Sequence, residues 1–459
     1  MAKLVNGGDP KILQVPTGFV LELVIDEYDY EPDLQSMRII STFNSPYPMF
    51  IFNLNIKPIE MIRHKLLGDI TINLTIHMKN HDGTDMQFSP FTVDLLYLSG
   101  EYEVPISNQL LNNEESLQDQ KAFTIRAVPE HAYRVMTYNI NKIYRNQSPH
   151  KILFDMISDL IPEFNSSRTG FNIKTDTAGA NNIPIEQIIL PPTVVKNHCD
   201  YLLNEFGVFD GYGVFYSSIG HADNDYEASI NYKIMNITDR WLHFDPVFKI
   251  IQLANDEEDT DKITNNFILG NYTDYYIYTD VTTKYVANGV YSAIGRDNYY
   301  INKPIDKFYR IDNIETDEYI NRYIDYPELA ASIYDRKRYI SNHICHNRDI
   351  ENYSQIAVNN QYDGTPIQDE YWLSAKLNKA VFNMTRLNVT VNRDFPLHLF
   401  TNIGEPIEFE SRTNDYDNLN GRYILFSTDV TLRREQGGWK SSANITFTRP
   451  NWSREQFNV

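Results

Sequence analysis

Hydrophobic and polar positions alternate along the C-terminal part of the chain. The alternation covers 387–391, 424–432 and 445–447, where apolar residues are separated mostly by Asn, Asp, Ser and Thr. A period of two predicts β-strands with one buried face and one face toward water. Gly437-Gly438 lies between the last two runs, and glycines suit the tight turn of a hairpin. The chain is therefore predicted to end in an antiparallel β-unit.

The same alternation occurs near the N-terminus, where turn residues such as His81-Asp82-Gly83 separate the apolar runs. About six strands are expected there at turn-separated spacing, which predicts a small barrel or sandwich over 1–125. The clearest runs are 19–25, 37–43, 70–78, 91–97 and 123–127. A β-unit at each end of the chain indicates a structural role more than a catalytic one.

Two amphipathic helices are predicted between the β-units. The first begins at the N-cap residue Ser148, has Pro149 at its first helical position and stops at Pro162. The second begins at Thr193 and ends at Gly207, a residue suited to a helix C-cap. The apolar stripes are Ile152, Leu153, Met156, Ile157, Leu160 and Ile161 in the first helix and Val195, Cys199, Leu202, Leu203 and Phe206 in the second.

Short apolar strands at 208–216 and 230–234 complete a predicted α/β block. The following part is irregular and rich in Tyr and Asn, with expected ribbons at 272–278 and 285–291 and a short helix at 327–339. No long Gly/Ser/Pro linker interrupts the chain, so packed domains are expected. The predicted domains are an N-terminal β-barrel at 1–125, an α/β insertion at 126–250, an irregular extension at 251–375 and a C-terminal β-barrel at 376–459.

Composition narrows the function classes. A chain of 459 residues favours two to four domains, and 42% hydrophobic residues suffice for buried cores. The net charge of −20 argues against tight binding of nucleic acid or of an anionic membrane surface, although a negative wall would let DNA slide past. No signal peptide and no apolar run of membrane-spanning length is found, and two cysteines favour a reducing compartment.

Candidate chemical motifs are weak. The cluster His343-Ile344-Cys345-His346 lacks a second ligand pair for zinc, and the acidic run 255–261 lacks the spacing of a calcium loop. Ser217 and Ser218 near His221 do not form a nucleophile elbow, and the segment from His221 is expected to be a hairpin loop. Gly211-Tyr212-Gly213 is no phosphate loop. No carboxylate pair stands out for glycoside cleavage. We therefore predict no catalytic, cofactor-binding or metal-binding residue, no cofactor and no enzymatic activity.

The order of these blocks resembles the central baseplate hub proteins of contractile-tailed bacteriophages, the tail hub or late control D-like family. It is also similar to the head part of type VI secretion spike proteins. The resemblance covers about 1–250 and 380–459 and is carried by loose patterns of apolar residues and glycines. These patterns are the segment 121–127, the helix from Ser148, the segment 188–193 leading into 201–207, then 213–216, the pattern Leu419-Asn420-Gly421-Arg422-Tyr423, the hairpin at Gly437-Gly438 and the final run 445–449.

The resemblance implies an α+β, mostly β fold with two tail-tube-like antiparallel β-barrel domains and α/β insertion domains between them. It also implies a homotrimer whose six barrels imitate the hexameric tail tube. The implied partners are further copies of the chain, the tail tube protein, the central spike protein and other baseplate subunits. Genomic DNA would be only passing cargo, membrane binding is not expected, and the protein would belong to the virion tail baseplate after assembly in the host cytoplasm.

Two other interpretations stay open from the sequence. A receptor-binding or carbohydrate-binding tail protein, or a glycosidase, would use the Tyr-rich strands at 272–300 to line a sugar groove. A tube or sheath-terminating subunit would have a similar β-content.

Overall fold

The structure of the chain is a computed structural model. It describes most of the two ends and of the insertion between them, but only single strands and isolated positions of the part between 253 and 384. The described residues are 16–57, 60, 70–86, 90–102, 120–160, 170–222, 225–243, 245, 248–252, 266–269, 275–279, 293–296, 307–310, 371, 375, 379, 382, 385–391, 394, 403–411, 420–436 and 438–449.

The fold is α+β and mostly β, as predicted, and one large sheet of 14 strands dominates it. Most neighbouring strands in this sheet are antiparallel, and β13 pairs in parallel with β14 and β19. The strands are β1 Gly18–Ile25, β2 Tyr28–Asp29, β3 Leu34–Thr42, β4 Met49–Ile56, β5 Thr71–Lys79, β6 Phe91–Tyr102, β7 Lys121–Pro129, β8 Asn139–Gln147, β9 Gly170–Thr175, β10 Ile185–Val194, β11 Gly213–Ala222, β12 Asp225–Asn236, β13 Phe248–Gln252, β14 Asn266–Leu269, β15 Tyr275–Thr279, β16 Ala293–Arg296, β17 Lys307–Arg310, β18 Thr385–Val391, β19 Pro406–Ser411, β20 Gly421–Glu435 and β21 Gly438–Arg449.

Eight strands of the large sheet pair in a closed cycle. The cycle runs β20, β3, β4, β7, β6, β5, β1 and β21, and the pairing of β21 with β20 completes it. Six of its members come from the N-terminal part of the chain and two from its C-terminus. The seam between β1 and β21 is a single residue pair, Phe19 with Trp439. Alternating side chains such as Leu21, Leu23 and Phe52 point inward and are buried.

The C-terminal hairpin pairs with two different sets of strands. Near its tip, β20 pairs with β3 through 427–433 and so completes the cycle. Near its base, β20 pairs with β19 through 421–424, and β21 pairs with β18 through 443–449. The alternation in the sequence therefore predicted β18, β20 and β21 correctly, including the hairpin, in which Gly438 has a φ of +129°. Strand β19 was not predicted. Gly437 lies outside the described residues.

The insertion consists of a two-stranded ribbon of β8 and β10, a three-stranded sheet in the order β11, β12, β9, and short helices. Strands β16 and β17 form a separate pair. The helices are α1 Glu130–Thr137, α2 Pro149–Leu160, α3 Val195–Tyr201 continued by a π-helix over Leu202–Phe206, and α4 Ile237–Leu242, with a 3-10 turn at Glu31–Asp33. Among the described residues, no helix is long and apolar enough to cross a membrane.

The first predicted helix is confirmed as α2, with its cap as expected. The Lys151 backbone N–H donates to Ser148 Oγ at 3.3 Å, and the predicted stripe from Ile152 to Leu160 is buried. We expect Ser148→Ala to lower the free energy of unfolding of this helix by about 1 kcal/mol, because one orphan N–H loses its partner. Hydrogen exchange of the first-turn amides of α2 measures this, and Ser148→Thr, which keeps the hydroxyl, is the control.

The second predicted helix begins two residues later than expected. Thr193 is still part of β10, since its backbone pairs with Ile140 of β8, and α3 begins at Val195. The predicted core positions Val195, Cys199 and Leu202 are buried, and Gly207 has a φ of +70°.

Several predictions fall on residues outside the described part. These are the end of the first helix at Ile161 and Pro162, the acidic run 255–261, the ribbon 285–291, the helix 327–339 and the cluster 343–346. Within the predicted ribbon 272–278, β15 is a strand that pairs with β18. The division of the chain into four domains stays a prediction.

Candidate functional site

The outward face of the paired strands carries a ladder of small polar side chains that we call the polar face. Asn53 Nδ2 donates to Ser36 Oγ at 2.8 Å, and Thr124 Oγ1 donates to Asn53 Oδ1 at 2.8 Å. These bonds join three neighbouring strands, β3, β4 and β7. Further pairs of the same kind are Thr75 with Thr92, Thr390 with Asn444, and Thr446 with Asn388.

The polar face continues across the shared hairpin. Arg38 of β3 pairs with Asp429 of β20 through two hydrogen bonds, which neutralises both charges locally. A shallow cavity of about 300 Å³ surrounds this pair. Its lining is entirely polar and consists of Ser36, Arg38, Asn53, Asp429, Thr431, Arg433 and Asn444. Hydroxyl and amide groups that bond to one another across strands offer few free groups to a ligand.

A second feature is a buried ionic junction between the insertion and the C-terminal strands. Glu405, just before β19, accepts from Arg240 of α4 and lies 3.5 Å from Lys233 Nζ of β12. The side chain of Lys233 is 8% exposed and that of Glu405 17% exposed. Because both charges are largely removed from water, the ionised form of each side chain is stabilised by the charge of the other.

Arg240 links this carboxylate to a second one. Its Nη2 donates to Asp176 Oδ1 at 2.9 Å, and its Nε donates to Asp176 Oδ2 at 3.3 Å. The backbone N–H of Asn236 also donates to Asp176 at 3.0 Å. Two cations and two carboxylates from four separate positions of the chain therefore form one balanced network.

Tyr216 of β11 holds the turn that carries Glu405. Its hydroxyl donates to the Ile403 carbonyl, and Lys233 Nζ lies 5.6 Å from the centre of its ring. Gly404 has a φ of +79°, and a Cβ there would overlap the Tyr216 hydroxyl. Gly404 N–H donates to the Leu425 carbonyl at 2.8 Å, so the turn is also fixed to β20. Glycine is therefore required at 404 both by conformation and by space.

Burial sets the ionisation of this junction. It lowers the pKa of Lys233, while Glu405 acts in the opposite direction. Burial also lowers the pKa of Arg240, but its hydrogen bonds to Asp176 and the two carboxylate charges outweigh this effect and raise that pKa above its usual value. Burial raises the pKa of the Tyr216 hydroxyl well above its usual range, so this hydroxyl stays a hydrogen-bond donor.

Strand β11 and the residue before it also contact the turn between β3 and β4. Ser217 Oγ donates to the Pro46 carbonyl at 2.7 Å, and Tyr212 hydroxyl donates to Asn44 at 3.2 Å. Strand β11 thus packs against the β3–β4 turn on one side and the 403–405 turn on the other. The insertion therefore contacts both the N-terminal and the C-terminal strands through these two turns.

The two serines that the sequence places near a histidine are buried in the described part of the chain. Ser217 is buried and bonded to Pro46, and Ser218 is buried beside it. His221 lies four residues after Ser217 in β11, so the two backbone positions are about 13 Å apart at strand spacing. The expected hairpin after His221 is confirmed, since β11 ends at Ala222 and β12 begins at Asp225.

Cys199 is a buried core thiol, as expected, and burial raises its pKa. Within the described ranges, no group of three or more His, Cys, Asp and Glu side chains is arranged to hold a metal ion. The ionic junction was missed by sequence reasoning. Its members are separated by up to 229 positions, and no spacing signal connects them.

Of the comparisons with known proteins, only the one with solved structures gives similar proteins. No protein-family model and no curated protein matches the sequence. The chain is similar to a tail protein from Neisseria meningitidis MC58, at 10% identity and a TM-score of 0.47, over 94% of this chain and 97% of that chain. It is also similar to the prophage MuSo2 43 kDa tail protein from Shewanella oneidensis, at 9% identity and a TM-score of 0.46, over 95% and 97%.

A third similar structure is the Escherichia coli c3393 protein, described as a component of the type VI secretion system. The identity is 10% and the TM-score 0.43, over 94% of this chain and 78% of that chain. Phage tail proteins and type VI secretion proteins are the two classes that the sequence resembles. At TM-scores below 0.5 we carry no functional residue over from these proteins.

Proposed function

We propose that this chain is a structural baseplate hub protein. Three copies form a ring that joins the tail tube to the central cell-puncturing spike, and DNA passes through the lumen of the ring. The protein acts by assembly and not by catalysis. Its partners are further copies of itself, the tail tube protein, the spike protein and other baseplate subunits, and it resides in the tail baseplate of the virion after assembly in the host cytoplasm.

The closed cycle of eight strands is the observation that carries this proposal. A closed cycle has no free sheet edge along most of its circumference, so it forms a compact barrel-like unit that can stand beside others. The base of the shared hairpin, together with β13, β15, β18 and β19, supplies strands for a second tube-like unit. Two such units in each chain would give six in a ring of three.

The polar face suits the wall of a DNA passage. Its hydroxyl and amide groups bond to one another, and its central Arg38 is neutralised by Asp429. The pairing of Arg38 with Asp429 removes one cation that would hold phosphates, and the net charge of −20 repels them. We therefore assign the strands from β4 across β3, β20 and β21 to β18 to the lumen.

The oligomeric mass tests the proposal. Mass photometry of the purified chain, alone and with its tube and spike proteins, is expected to give a particle of three copies. Three copies with two tube-like units each would match a hexameric tube, and a heterologous interface can close into such a ring. A monomer at micromolar concentration that the tube and spike proteins leave unchanged would overturn it.

DNA binding gives a second prediction. In a filter-binding assay at about 50 mM salt, the assembled protein is expected to retain no double-stranded DNA, because Asp429 neutralises Arg38 and the net charge of −20 repels phosphates. Asp429→Ala frees the Arg38 guanidinium and is expected to produce weak retention that disappears at higher salt. Tight retention by the unaltered protein would contradict a lumen of this kind.

A further inference from the structure

Strand β8 is a long strand with one open edge. It pairs with β10 from Asn139 to Gln147, and within the described part of the chain no strand pairs with its other side. In an antiparallel pair, alternate backbone N–H and C=O groups point away from the partner strand. An open edge of nine residues therefore presents a row of backbone donors and acceptors.

The ribbon of β8 and β10 also presents an apolar pair to solvent. Tyr144 and Ile188 face the core and are buried, whereas their neighbours Ile143 and Ile189 face outward. Ile143 is 53% exposed and lies directly opposite Ile189. Tyr138, just before β8, is 47% exposed. Together with the open edge, exposed Ile143 and half-buried Ile189 give an added strand apolar side chains to pack against.

The charge of this segment is opposite to that of the whole chain. From Tyr133 to Gln147 the sequence contains Arg134, Lys142 and Arg145 and no acidic residue, in a chain with a net charge of −20. Asp159 of α2 approaches Lys142 at 3.6 Å, with both side chains mostly exposed. Arg145 is exposed and forms no ion pair with any side chain that the structure describes.

We propose that the open edge of β8 binds a second copy of this chain, through an acidic strand or loop on that copy. The partner is acidic because the edge is basic, and a chain with a surplus of 20 acidic groups offers such surfaces. Pairing of two β8 edges would bring the basic groups of both copies close together, whereas an acidic partner segment avoids this repulsion. The contact is therefore heterologous, which is the type that closes a ring of three.

This inference rests on the proposed trimer and names one of its interfaces. A nucleic acid or an anionic membrane would also be attracted by basic groups, but the chain's overall charge opposes both. The same experiment distinguishes these partners from a second copy.

Arg145→Glu is the decisive variant, and Arg433→Glu is its matched control. Both place the same charge change on an exposed strand, but Arg433 lies on the polar face assigned to the lumen. By mass photometry, Arg145→Glu is expected to raise the concentration at half-assembly by about tenfold or more, because an acidic partner is then repelled. Ile143→Ser is expected to weaken assembly in the same direction, and Arg433→Glu to leave it unchanged.

Hydrogen exchange of 139–147 provides a readout that does not depend on a variant. These amides are expected to be protected in the trimer and to lose protection on dilution to monomer. An intact trimer in Arg145→Glu, with unprotected 139–147, would overturn this inference and leave the trimer standing. Retention of DNA or of anionic vesicles that Arg145→Glu abolishes would also overturn it. A wild-type chain that never trimerises would overturn both proposals.

Discussion

Glu405→Gln is expected to lower the free energy of opening of the insertion by about 3–5 kcal/mol. The substitution leaves the buried ammonium of Lys233 without its carboxylate and removes one of the two acids that hold Arg240. Removing one partner of a buried pair costs this much because the remaining charge stays buried and uncompensated. Native-state hydrogen exchange of β12 and β19 measures the opening, because it resolves local stability in a chain of this size.

The control for this prediction is Glu435→Gln at the end of β20. Glu435 is exposed and has no hydrogen bond or ion pair to a described side chain, so a change within about 0.5 kcal/mol is expected. The double substitution Glu405→Leu with Lys233→Met is expected to recover most of the lost stability, since it removes both buried charges. Unchanged exchange of β12 in Glu405→Gln would show that the network does not hold the insertion in place.

Trp439→Ala is expected to cost about 3–5 kcal/mol and to open the seam of the closed cycle. Trp439 is 4% exposed, forms the single residue pair between β21 and β1, and donates from Nε1 to Glu31 at 3.1 Å. The guanidinium of Arg434 lies 5.4 Å from the centre of its ring. Removing a buried indole leaves a cavity at the point where the cycle closes.

Hydrogen exchange again measures this opening. Amides of 19–23 and 438–442 are expected to lose protection in Trp439→Ala, while the pairing of β3 with β4 keeps its protection. Trp439→Phe retains most of the apolar volume and is expected to lose only about 1 kcal/mol with the Nε1 hydrogen bond. A seam that stays protected in Trp439→Ala would mean that closure does not depend on this contact.

Periodicity in the sequence was sufficient for the strands that bury every second residue. Strands β1, β5 and β18 alternate cleanly, and each was predicted to within about two residues. Strand β8 was missed because Tyr144 is its only fully buried side chain. Strand β10 was missed because Pro191 and Pro192 lie within it, and prolines indicate a break more often than a strand.

The way the strands close could not be predicted from periodicity. The sequence suggested a separate β-unit at each end, but the tip of the C-terminal hairpin completes the N-terminal cycle. This is possible because β20 has 15 residues and spans about 50 Å, which is long enough to pair with two sets of neighbours. Likewise, Asp176 and Glu405 meet at Arg240 through tertiary packing alone, so only the structure reveals the ionic junction.

A density map of the purified, assembled protein tests the central claim most directly. Electron cryomicroscopy at a resolution that separates strands is expected to show a ring of three copies with six barrel-like units around a central passage. The polar face, with Ser36, Asn53 and Asn444, is expected to line that passage. A particle without threefold symmetry, or a ring whose passage is lined by another face of the sheet, would contradict the account.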